Sequence, residues 1–396
     1  MGKIMTSAEN ASDLNGLAHS LAARLAESAP ERDREGGTAK RERDAIRHSG
    51  LLRASIPKEY GGHGASWSEV TRLVRAISNA DSSLGHLFGF HHLLVATVRL
   101  FGSSAQWEAA YRETANGNLF WGNALNPLDP GTRLTRTSRG YLLNGKKSFC
   151  SGALDSDRLI VSGNHPDSGK LLVAAIPSDR SGIRYNADWD NMGQRQTDSG
   201  SVEFQEVVLD DSEFLLTPGP LSSPFASLRP CIAQLVLANV YLGIGQGALQ
   251  VAKGYTHTQK RAWPASGVER ASDDPYVLAR YGEMRLELEG ARLLADAAGT
   301  ALDKAWQRRE DLSAEERGEA ALAIAAAKVA TSRASLSVTS RIFEVMGTRS
   351  TANQLRLDRF FRNARTHTLH DPVDYKVKEL GEWELNGKLP TPSFYS

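Results

Sequence analysis

The amino-acid sequence predicts a mostly helical α+β protein in which a small β-domain separates two helical regions. Apolar residues recur at helical spacing from about residue 8 to 115, alternate with a period of two from about 117 to 215, and return to helical spacing from about 222. A chain of 396 residues is long enough for two or three domains. We expect an N-terminal helical domain over residues 1–116, a β-domain over 117–218 and a C-terminal helical bundle with a tail over 219–396.

Helix signals are clear in the N-terminal region. The first helix has leucines at helical spacing: Leu14, Leu17, Leu21 and Leu25. Ser66 precedes a second apolar periodic segment, and Asp81 precedes a third, which contains His86 and Phe90. Serine and aspartate are favoured N-cap residues, so helices are expected to begin just after Ser66 and Asp81.

The middle region predicts short strands at 141–143, 158–162, 170–176 and 202–209. Glycine, asparagine, proline and aspartate separate them, and no long helical segment lies between them. This pattern favours a small antiparallel sandwich or barrel over a parallel βαβ sheet.

The C-terminal region predicts long helices at about 224–262, 274–308, 314–346 and 371–384, which favours a four-helix bundle. The uncharged run from Pro230 to Ala252 is long enough to span a membrane. It contains four amide side chains and three glycines, however, and we find no second run of this kind beside it. We interpret it as a helix buried inside the bundle and expect no membrane association.

Composition excludes several classes of protein. Lys and Arg number 47 against 46 Asp and Glu, so no basic surplus indicates nucleic-acid binding. Cys150 and Cys231 have neither zinc-site spacing nor a disulfide framework, which indicates a reducing compartment. Met1 to Thr6 fits a loose myristoylation pattern, but Met5 is an equally good start residue. Because no apolar signal core follows, we expect a cytoplasmic protein.

Glycine motifs for nicotinamide cofactors are missing. Gly243 to Gly247 is glycine-rich, but it lies inside the predicted buried helix instead of following a strand. The chain is therefore not expected to bind NAD(P)H in the usual way.

The densest polar cluster runs from Arg362 to Pro372. If it were all helix, His367, His370, Asp371 and Asp374 would share one face and could hold a metal. Pro372 favours a helix start instead, with Asp371 as the N-cap and His370 just before it. The positive helix end would disfavour a charged imidazole there, and a neutral His370 suits proton transfer; a structural role is the open alternative.

Other polar residues have both a functional and a structural interpretation. His86 and Phe90 are one turn apart on their helix, and single histidines of this kind are often packing residues. Ser151 ends a strand-like segment without the frame of a hydrolase nucleophile, so it is a hydrogen-bond donor or a turn residue. Arg261 follows a long helix and could bind phosphate or simply favour the helix C-terminus.

Taken together, the segments resemble the acyl-CoA dehydrogenase superfamily, and within it the flavin-dependent monooxygenases, in particular those that act on dibenzothiophene. The resemblance extends from about residue 15 to the C-terminus. It is densest in Asp81–Phe90, Trp121–Ala124, Leu143–Gly152, Met192–Ser201, Leu237–Ile244 and Arg365–Val373.

The resemblance implies catalytic roles for three residues. His370 matches a histidine that acts near the flavin, Ser151 a serine that hydrogen-bonds the isoalloxazine ring, and His86 a histidine that faces the substrate. Phe90 stands where the family has tyrosine, so a possible donor to the substrate is lost there.

The resemblance also implies a flavin pocket. Asn123, Phe149 and Trp189 match residues that line it. Arg261 matches an arginine that reaches the flavin phosphate in a neighbouring subunit, and Arg349 matches another flavin-side residue. The expected cofactor is FMN, supplied as FMNH2, with FAD as the alternative, and O2 is the co-substrate.

The implied activity is that of the oxygenase component of a two-component system. A separate NAD(P)H:flavin reductase would supply FMNH2, a flavin C4a-hydroperoxide would form, and the sulfur of an aromatic heterocycle such as dibenzothiophene would become a sulfoxide or sulfone. The alternatives are an N- or C-hydroxylating enzyme of the same fold, an acyl-CoA dehydrogenase with a displaced base, and a flavin-binding protein without catalysis. Against the dehydrogenase, the region of Leu369 to Pro372 lacks the Tyr-Glu-Gly-Thr stretch that holds the base in many of its members.

The family layout also implies an assembly. The helical bundle would pair with copies of itself in a homotetramer. The proline-rich tail from Leu389 to Ser396 would lie across a neighbouring subunit or the mouth of the site, or else be frayed.

Overall fold

The computed structural model describes residues 13–138 and 140–396, and within them a β-domain separates two helical regions, as predicted. The myristoylation pattern at Met1 to Thr6 lies outside the described residues. The helices before the β-domain are α1 (Leu14–Glu35), α2 (Lys40–His48), α3 (Trp67–Ala80), α4 (Ser82–Phe101) and α5 (Ser104–Gly117).

The predicted N-caps start the two helices that matter most for the site. The Ser66 side chain accepts from the amide of Glu69, and the Glu69 side chain returns a bond to the Ser66 amide, so a capping box begins α3. The Asp81 carboxylate accepts from the amide of Leu84 and begins α4. The Asp81 cap fixes where α4 starts, and thereby which of its residues point into the protein.

The β-domain is a sheet with the strand order β1-β4-β2-β3-β7-β6, and β5 pairs with the other edge of β4. Pairing is antiparallel, as predicted, for β2–β3, β3–β7, β6–β7 and β4–β5. Two pairings differ from this prediction, since β1 and β2 both run parallel to β4. The strands are β1 (Trp121–Ala124), β2 (Thr132–Thr137), β3 (Gly140–Lys147), β4 (Arg158–Asn164), β5 (Leu171–Pro177), β6 (Ile183–Tyr185) and β7 (Val202–Leu209).

Four of the five C-terminal helices agree with the predicted segments to within a few residues, and α9 was not among the predicted helices. The five helices are α6 (Leu228–Thr258), α7 (Pro275–Arg308), α8 (Ala314–Met346), α9 (Arg359–His367) and α10 (Val373–Asn386). Helix α6 packs against α3 and α4 on one side and against α8 on the other. One hydrophobic core therefore joins the N- and C-terminal helices, while the β-domain has a core of its own. The division at 1–116, 117–218 and 219–396 stays a prediction.

Three described helices are long and apolar enough to cross a membrane: α4, α6 and α8. The sequence-based expectation that no second run accompanies 230–252 is therefore wrong. The predicted burial of 230–252 is confirmed, because 89% of the apolar window in α6 lies inside the fold. The corresponding windows of α4 and α8 are 94% and 67% buried, so packing between helices accounts for most of this apolar surface.

The glycines in the middle of α6 allow the helix to touch α3 closely. A Cβ atom at Gly247 would lie 2.1 Å from the backbone oxygen of Asn79, and one at Gly243 would lie 2.7 Å from that of Arg75. The glycine-rich motif thus serves helix packing, in agreement with its assignment away from nucleotide binding.

We predict that Gly247→Ala lowers the free energy of unfolding by at least about 2 kcal/mol, because the added methyl group forces α6 away from α3. Gly254→Ala is the matched control on the same helix, since nothing lies within 4 Å of its Cβ position. There the higher helix propensity of alanine should stabilise the protein by up to about 1 kcal/mol. Urea unfolding of both variants provides the measurement, and equal effects would contradict the close packing.

Candidate active site

A pocket of aromatic rings lies where α4, α6 and α9 meet. The ring of His86 on α4 is 4.1 Å from that of Phe90 and 4.7 Å from that of His367, at the end of α9. Tyr241 on α6 packs 5.4 Å from His367, and its hydroxyl donates to the His367 carbonyl at 2.9 Å. All four side chains are buried. The site is therefore walled by rings held in place by packing.

The two histidines of this pocket are neutral. Burial, with a smaller contribution from the charge of His370, lowers the pKa of His86 to about 3. Burial also holds the pKa of His367 well below its usual value. Within residues 13–138 and 140–396, neither His86 Nδ1 nor the ring nitrogens of His367 have a hydrogen-bond partner. The pocket thus offers uncharged nitrogens that are free to meet a bound molecule.

His370 sits at the edge of this pocket and is held by a buried ion pair. Its Nδ1 lies 2.9 Å from Asp371 Oδ1. Lys328 on α8 donates to the same carboxylate and to the side chain of Gln234 on α6, and both residues are buried. Because an ionised carboxylate only accepts hydrogen bonds, Nδ1 of His370 carries the hydrogen of this bond.

Asp371 is not the helix N-cap that the sequence predicts. Helix α10 begins at Val373 with Pro372 at the N-cap, and no side chain caps it. Asp371 points inward instead, because the buried ammonium of Lys328 requires a countercharge. Burial lowers the pKa of Lys328 to about 8, against the opposing effect of Asp371. Burial would raise the pKa of Asp371, but the His370 hydrogen bond and the Lys328 charge bring it below its usual value.

The metal hypothesis for this segment is wrong for the described residues, among which no group of three His, Cys, Asp or Glu side chains could hold a metal ion. The helix ends at His367, so His370, Asp371 and Asp374 do not share one helical face.

A second wall is built around Ser151. Its hydroxyl is 2.7 Å from that of Ser199, which donates to the Thr197 hydroxyl at 2.8 Å. Thr197 in turn donates to the backbone oxygen of Gln194 at 3.0 Å. The main-chain amide of Asn123, on β1, donates to the backbone oxygen of Ser151 at 3.0 Å. Because Ser199 donates its one hydrogen to Thr197, the Ser151 hydroxyl donates to Ser199, and its oxygen is left to accept a hydrogen bond from a bound molecule.

Phe149 and Trp189 form an aromatic edge beside this wall. Phe149 is 59% exposed and has a left-handed backbone conformation with a φ of 57°. Its ring lies 6.1 Å from that of Trp189, which donates to the Gln194 backbone oxygen at 2.8 Å. The side-chain Oε1 of Gln194 is buried and has no partner among the described residues. An exposed aromatic edge next to donors and an unused acceptor fits a flat, polar ring system such as a flavin.

The two walls are joined through the loop that contains Gln194. The main-chain amide of Gln194 donates to Asn363 Oδ1 on α9 at 2.7 Å, and its side chain donates to the Ser82 hydroxyl on α4 at 3.3 Å. A Cβ atom at Gly152 would lie 3.0 Å from Leu87, the residue after His86. The segments of Ser151 and His86 are therefore in contact.

Arg261 and Arg349 lie elsewhere. Helix α6 ends at Thr258, and Arg261 follows it. At 1.5 Å per residue, this end of the helix lies about 36 Å along the axis from Gln234. Neither arginine side chain has a hydrogen bond or ion pair to any residue in the described part of the chain. One chain alone does not bring Arg261 to the site, and the expected contact with a neighbouring subunit stays a prediction.

The tail lies over the edge of the site in the same chain. The ring of Tyr395 is 6.1 Å from that of His370, and Arg317 on α8 donates to the backbone oxygen of Ser396. A Cβ atom at Gly318 would lie 2.9 Å from Leu389, so the start of the tail packs on α8 as well. Of the two predicted placements for the tail, the structure has the one across the site mouth.

Sequence reasoning missed Lys328, Gln234 and Tyr241, and it considered His367 only as a metal ligand. Lys328 had a usable signal, because it is the one charged residue in the alanine-rich run from Ala320 to Ala330. Gln234 was counted as evidence against a membrane span, without a partner to assign to it.

The sequence matches three domains of the acyl-CoA dehydrogenase family: the N-terminal domain over residues 14–118, the middle domain over 124–207 and the C-terminal domain over 235–375. A probable FMNH2-dependent monooxygenase of Pseudomonas putida is 54% identical over 381 residues, with 96% of each chain covered. The chain belongs to the flavin-dependent monooxygenase branch of the acyl-CoA dehydrogenase family. The predicted resemblance is thereby confirmed.

Other members of the branch have names that specify a substrate. The methanesulfinate monooxygenase of Pseudomonas fluorescens is 56% identical, with a TM-score of 0.96 over 97% of this chain and 100% of that chain. FMN-bound TdsC, a dibenzothiophene monooxygenase of Paenibacillus sp. A11-2, is 44% identical, with a TM-score of 0.92 over 97% of this chain and 100% of that one. A dibenzothiophene monooxygenase of Rhodococcus erythropolis is 44% identical over 395 residues, 96% of this chain and 95% of that chain.

We predict that acid destabilises the protein partly through His86. In the unfolded chain this imidazole takes up a proton near pH 6.5, whereas in the folded protein its pKa is about 3. Stability should therefore fall as the pH drops below about 6.5, and His86 should account for about 2 kcal/mol at pH 5. His86→Gln should reduce the difference in unfolding free energy between pH 7.5 and pH 5 by that amount. His19→Gln, at an exposed residue, is the control, and equal effects would contradict the buried neutral state.

We further predict that Lys328→Met and Asp371→Asn each lower the unfolding free energy by about 3 kcal/mol, since each leaves the other charge buried and unpaired. The double variant should lose much less than the sum, because the unpaired charge is gone. Denaturant unfolding of the four proteins measures this coupling. Additive effects would contradict a stabilising interaction between the charges of Lys328 and Asp371.

Proposed function

We propose that this protein is the oxygenase component of a two-component FMNH2-dependent monooxygenase that oxygenates sulfur. The observation that carries the proposal is the contact between two walls of different chemistry. One wall presents the Ser151 hydroxyl chain beside an exposed aromatic edge, and the other presents neutral, partner-free histidines. Relatives with FMNH2 in their name and a relative with FMN bound support the choice of cofactor.

FMN would be held by the first wall, where it supplies two-electron reducing power for the activation of O2 when it is bound as FMNH2. Ser151 would hydrogen-bond the isoalloxazine ring, and Asn123, Phe149 and Trp189 would line its pocket. The hydroxyl chain through Ser199 and Thr197 directs the Ser151 hydrogen towards Ser199, so the Ser151 oxygen would accept a hydrogen bond from an N–H of the reduced ring.

The second wall keeps the reacting atoms dry and uncharged. His86 and Phe90 cover one side, and their burial excludes the water that would release hydrogen peroxide instead of an oxygenated product. Asp371 accepts the hydrogen bond from Nδ1 of His370, which leaves Nε2 for proton transfer. In this proposal His370 moves a proton at Nε2, while His86 contacts the acceptor molecule.

The dehydrogenase alternative is less well supported by the site. Proton abstraction from an acyl-CoA requires an accessible carboxylate base, and the acidic residue of this segment is Asp371. Its carboxylate is buried and already bonded to Lys328 and His370. Oxygenation at nitrogen or carbon remains the alternative within the same fold.

Two sulfur acceptors are candidates. The sequence-based expectation is an aromatic heterocycle such as dibenzothiophene, which two relatives carry in their names. Methanesulfinate is the second candidate, because a methanesulfinate monooxygenase is 56% identical to this chain.

The assembly is also a proposal. Several large apolar side chains are exposed along α7, and a contiguous apolar surface of this kind favours contact with another protein surface. We expect copies of this chain to cover it in a homotetramer, with Arg261 and Arg349 reaching flavin phosphate across subunits. The exposed residues are Leu278, Leu286, Leu293 and Leu294. A separate flavin reductase and a cytoplasmic location complete the proposal.

The test is an anaerobic mixture of the protein with FMNH2, followed by oxygen in a stopped-flow instrument, with hydrogen peroxide and oxygenated product measured for each flavin oxidised. We expect slow release of peroxide without an acceptor, and product formation with dibenzothiophene or methanesulfinate. Flavin oxidation as fast as in free solution, with quantitative peroxide, would contradict the proposal. Reduction of FMN by butyryl-CoA would favour a dehydrogenase.

Ser151→Ala should weaken FMN binding about tenfold and raise the peroxide yield, since it removes one directed hydrogen-bonding group from a buried wall. Ser168→Ala, at an exposed serine of the β-domain, is the control and should change neither quantity. FMN binding is measured by fluorescence titration, so this result does not depend on turnover. Unchanged affinity and yield in Ser151→Ala would remove Ser151 from the cofactor site.

A further inference from the structure

Arg229, in the first turn of α6, is a buried cation without a carboxylate partner. The residue is 6% exposed, and its Nε donates to the Thr97 hydroxyl at 3.0 Å. Across residues 13–138 and 140–396, no carboxylate oxygen lies within 4.0 Å of its nitrogens, and Nη1 and Nη2 have no hydrogen-bond partner. A buried guanidinium is costly unless an anion or several acceptors meet it, so the missing partner requires an explanation.

The position of Arg229 connects it to the site. Thr97 belongs to α4, the helix that also contains His86 and Phe90. Arg229 is five residues before Gln234, whose side chain bonds to Asp371. The tail completes the enclosure, because Tyr395 faces His370 and its hydroxyl feels the charges of both Arg229 and Asp371. Arg229 therefore borders the same enclosed region as His370.

The electrostatics of this region favour an anion that comes from outside the chain. Burial lowers the pKa of Arg229 to about 10, and Tyr395 is the one group that opposes this shift. The guanidinium is still charged at neutral pH. Lys328, a buried cation beside His370, is paired with Asp371, whereas Arg229 has no carboxylate partner among the described residues. Arg317, which is buried on α8 and donates to the backbone oxygens of Ser227 and Ser396, adds a second positive charge on the Arg229 side.

We propose that Arg229 is the subsite for the oxygen atoms of an anionic sulfur acid, so that the acceptor of this enzyme is a small alkylsulfinate. This inference rests on the proposed function and refines its substrate class. The planar guanidinium presents Nη1 and Nη2 side by side, which matches the two oxygens of a sulfinate. Sulfur then keeps its lone pair free for the reacting oxygen.

The reaction balances with the co-substrates already named. One oxygen atom of O2 forms a new bond to the sulfur lone pair, which converts RSO2⁻ into RSO3⁻ and oxidises sulfur by two electrons. The other oxygen atom leaves as water, with the two electrons and two protons that FMNH2 delivers as it becomes FMN. The charge of the acceptor does not change, so Arg229 holds the anion throughout.

The first test measures binding to the wild-type protein. Methanesulfonate and dimethyl sulfone are nearly isosteric, but only methanesulfonate is charged. By isothermal titration calorimetry, we expect methanesulfonate to bind at least about 30-fold more tightly, with an affinity that falls as salt rises. Equal affinities would overturn the inference without any variant having to fold. Neither probe requires turnover, so this result is independent of the proposed oxygenase activity.

The second test uses Arg229→Met and Arg229→Lys. We expect the KM for methanesulfinate to rise at least about 30-fold in Arg229→Met and less in Arg229→Lys, which keeps the charge but not the paired donors. FMN affinity, measured by fluorescence titration, checks that each variant still folds and binds the cofactor. Arg136→Met, at an exposed arginine of the β-domain, controls for the loss of one positive charge.

The outcomes separate the inference from the proposed function. If the wild type oxygenates dibenzothiophene but neither binds methanesulfonate nor oxidises methanesulfinate, the inference is wrong and the oxygenase assignment stands. If Arg229→Met lowers the melting temperature and leaves the KM for methanesulfinate unchanged, Arg229 is only an anchor for the tail, and the inference is again wrong. If the wild type binds methanesulfonate through Arg229 but oxidises FMNH2 no differently from solution, the proposed function fails and the anion subsite remains.

Discussion

The buried ion pair between Lys328 and Asp371 determines the geometry of the candidate active site. It joins the middle of α8 to the short segment between α9 and α10, and Gln234 ties both to α6. Since two buried charges are tolerated only when they form an ion pair, the position of Lys328 fixes the position of the segment before α10. His370 follows directly, because its ring bonds to the same carboxylate. The position of a half-exposed histidine is thus decided by a lysine on another helix.

The same pair separates the charges of the site from its interior. Asp371 and Lys328 compensate one another at the edge, while His86 and His367 inside are held neutral by burial. A neutral, dry interior suits oxygen chemistry on a reduced flavin, because stray protons and water both divert it to peroxide. The packing of α4 against α6 and α9 therefore has a chemical consequence as well as a structural one. The glycines of α6 belong to this arrangement, since they allow the helices to approach closely.

The architecture could be predicted from sequence because it depends on local patterns that are visible in the sequence. Helical periodicity, the caps at Ser66 and Asp81, and alternating strands predicted seven of the ten described α-helices and four of the seven described strands. The elements that were not predicted individually are α2, α5, α9, β1, β2 and β6. The error at Asp371 has a physical cause. An aspartate before proline is a good N-cap in isolation, but the cost of leaving Lys328 without a countercharge is larger than the gain from a cap. A contact between residues 43 positions apart carries no local signal. The parallel pairing of β1 with β4 was missed for the same reason.

The candidate site was likewise predicted only in part from the sequence. Ser151, His86 and His370 were selected through resemblance, and the structure brings their segments into contact, but their roles require a bound flavin to test. Arg229 was not selected at all, because in the sequence it is one arginine near a helix start. Only the structure shows that it is buried without a carboxylate partner. Its isolation also fits the rest of the site. The flavin wall and the histidine wall are uncharged where they meet, so Arg229 can select an anionic acceptor without placing charge at the reacting oxygen. Selection and oxygen transfer would then be handled by different residues of one enclosed region, with Tyr395 of the tail between Arg229 and His370.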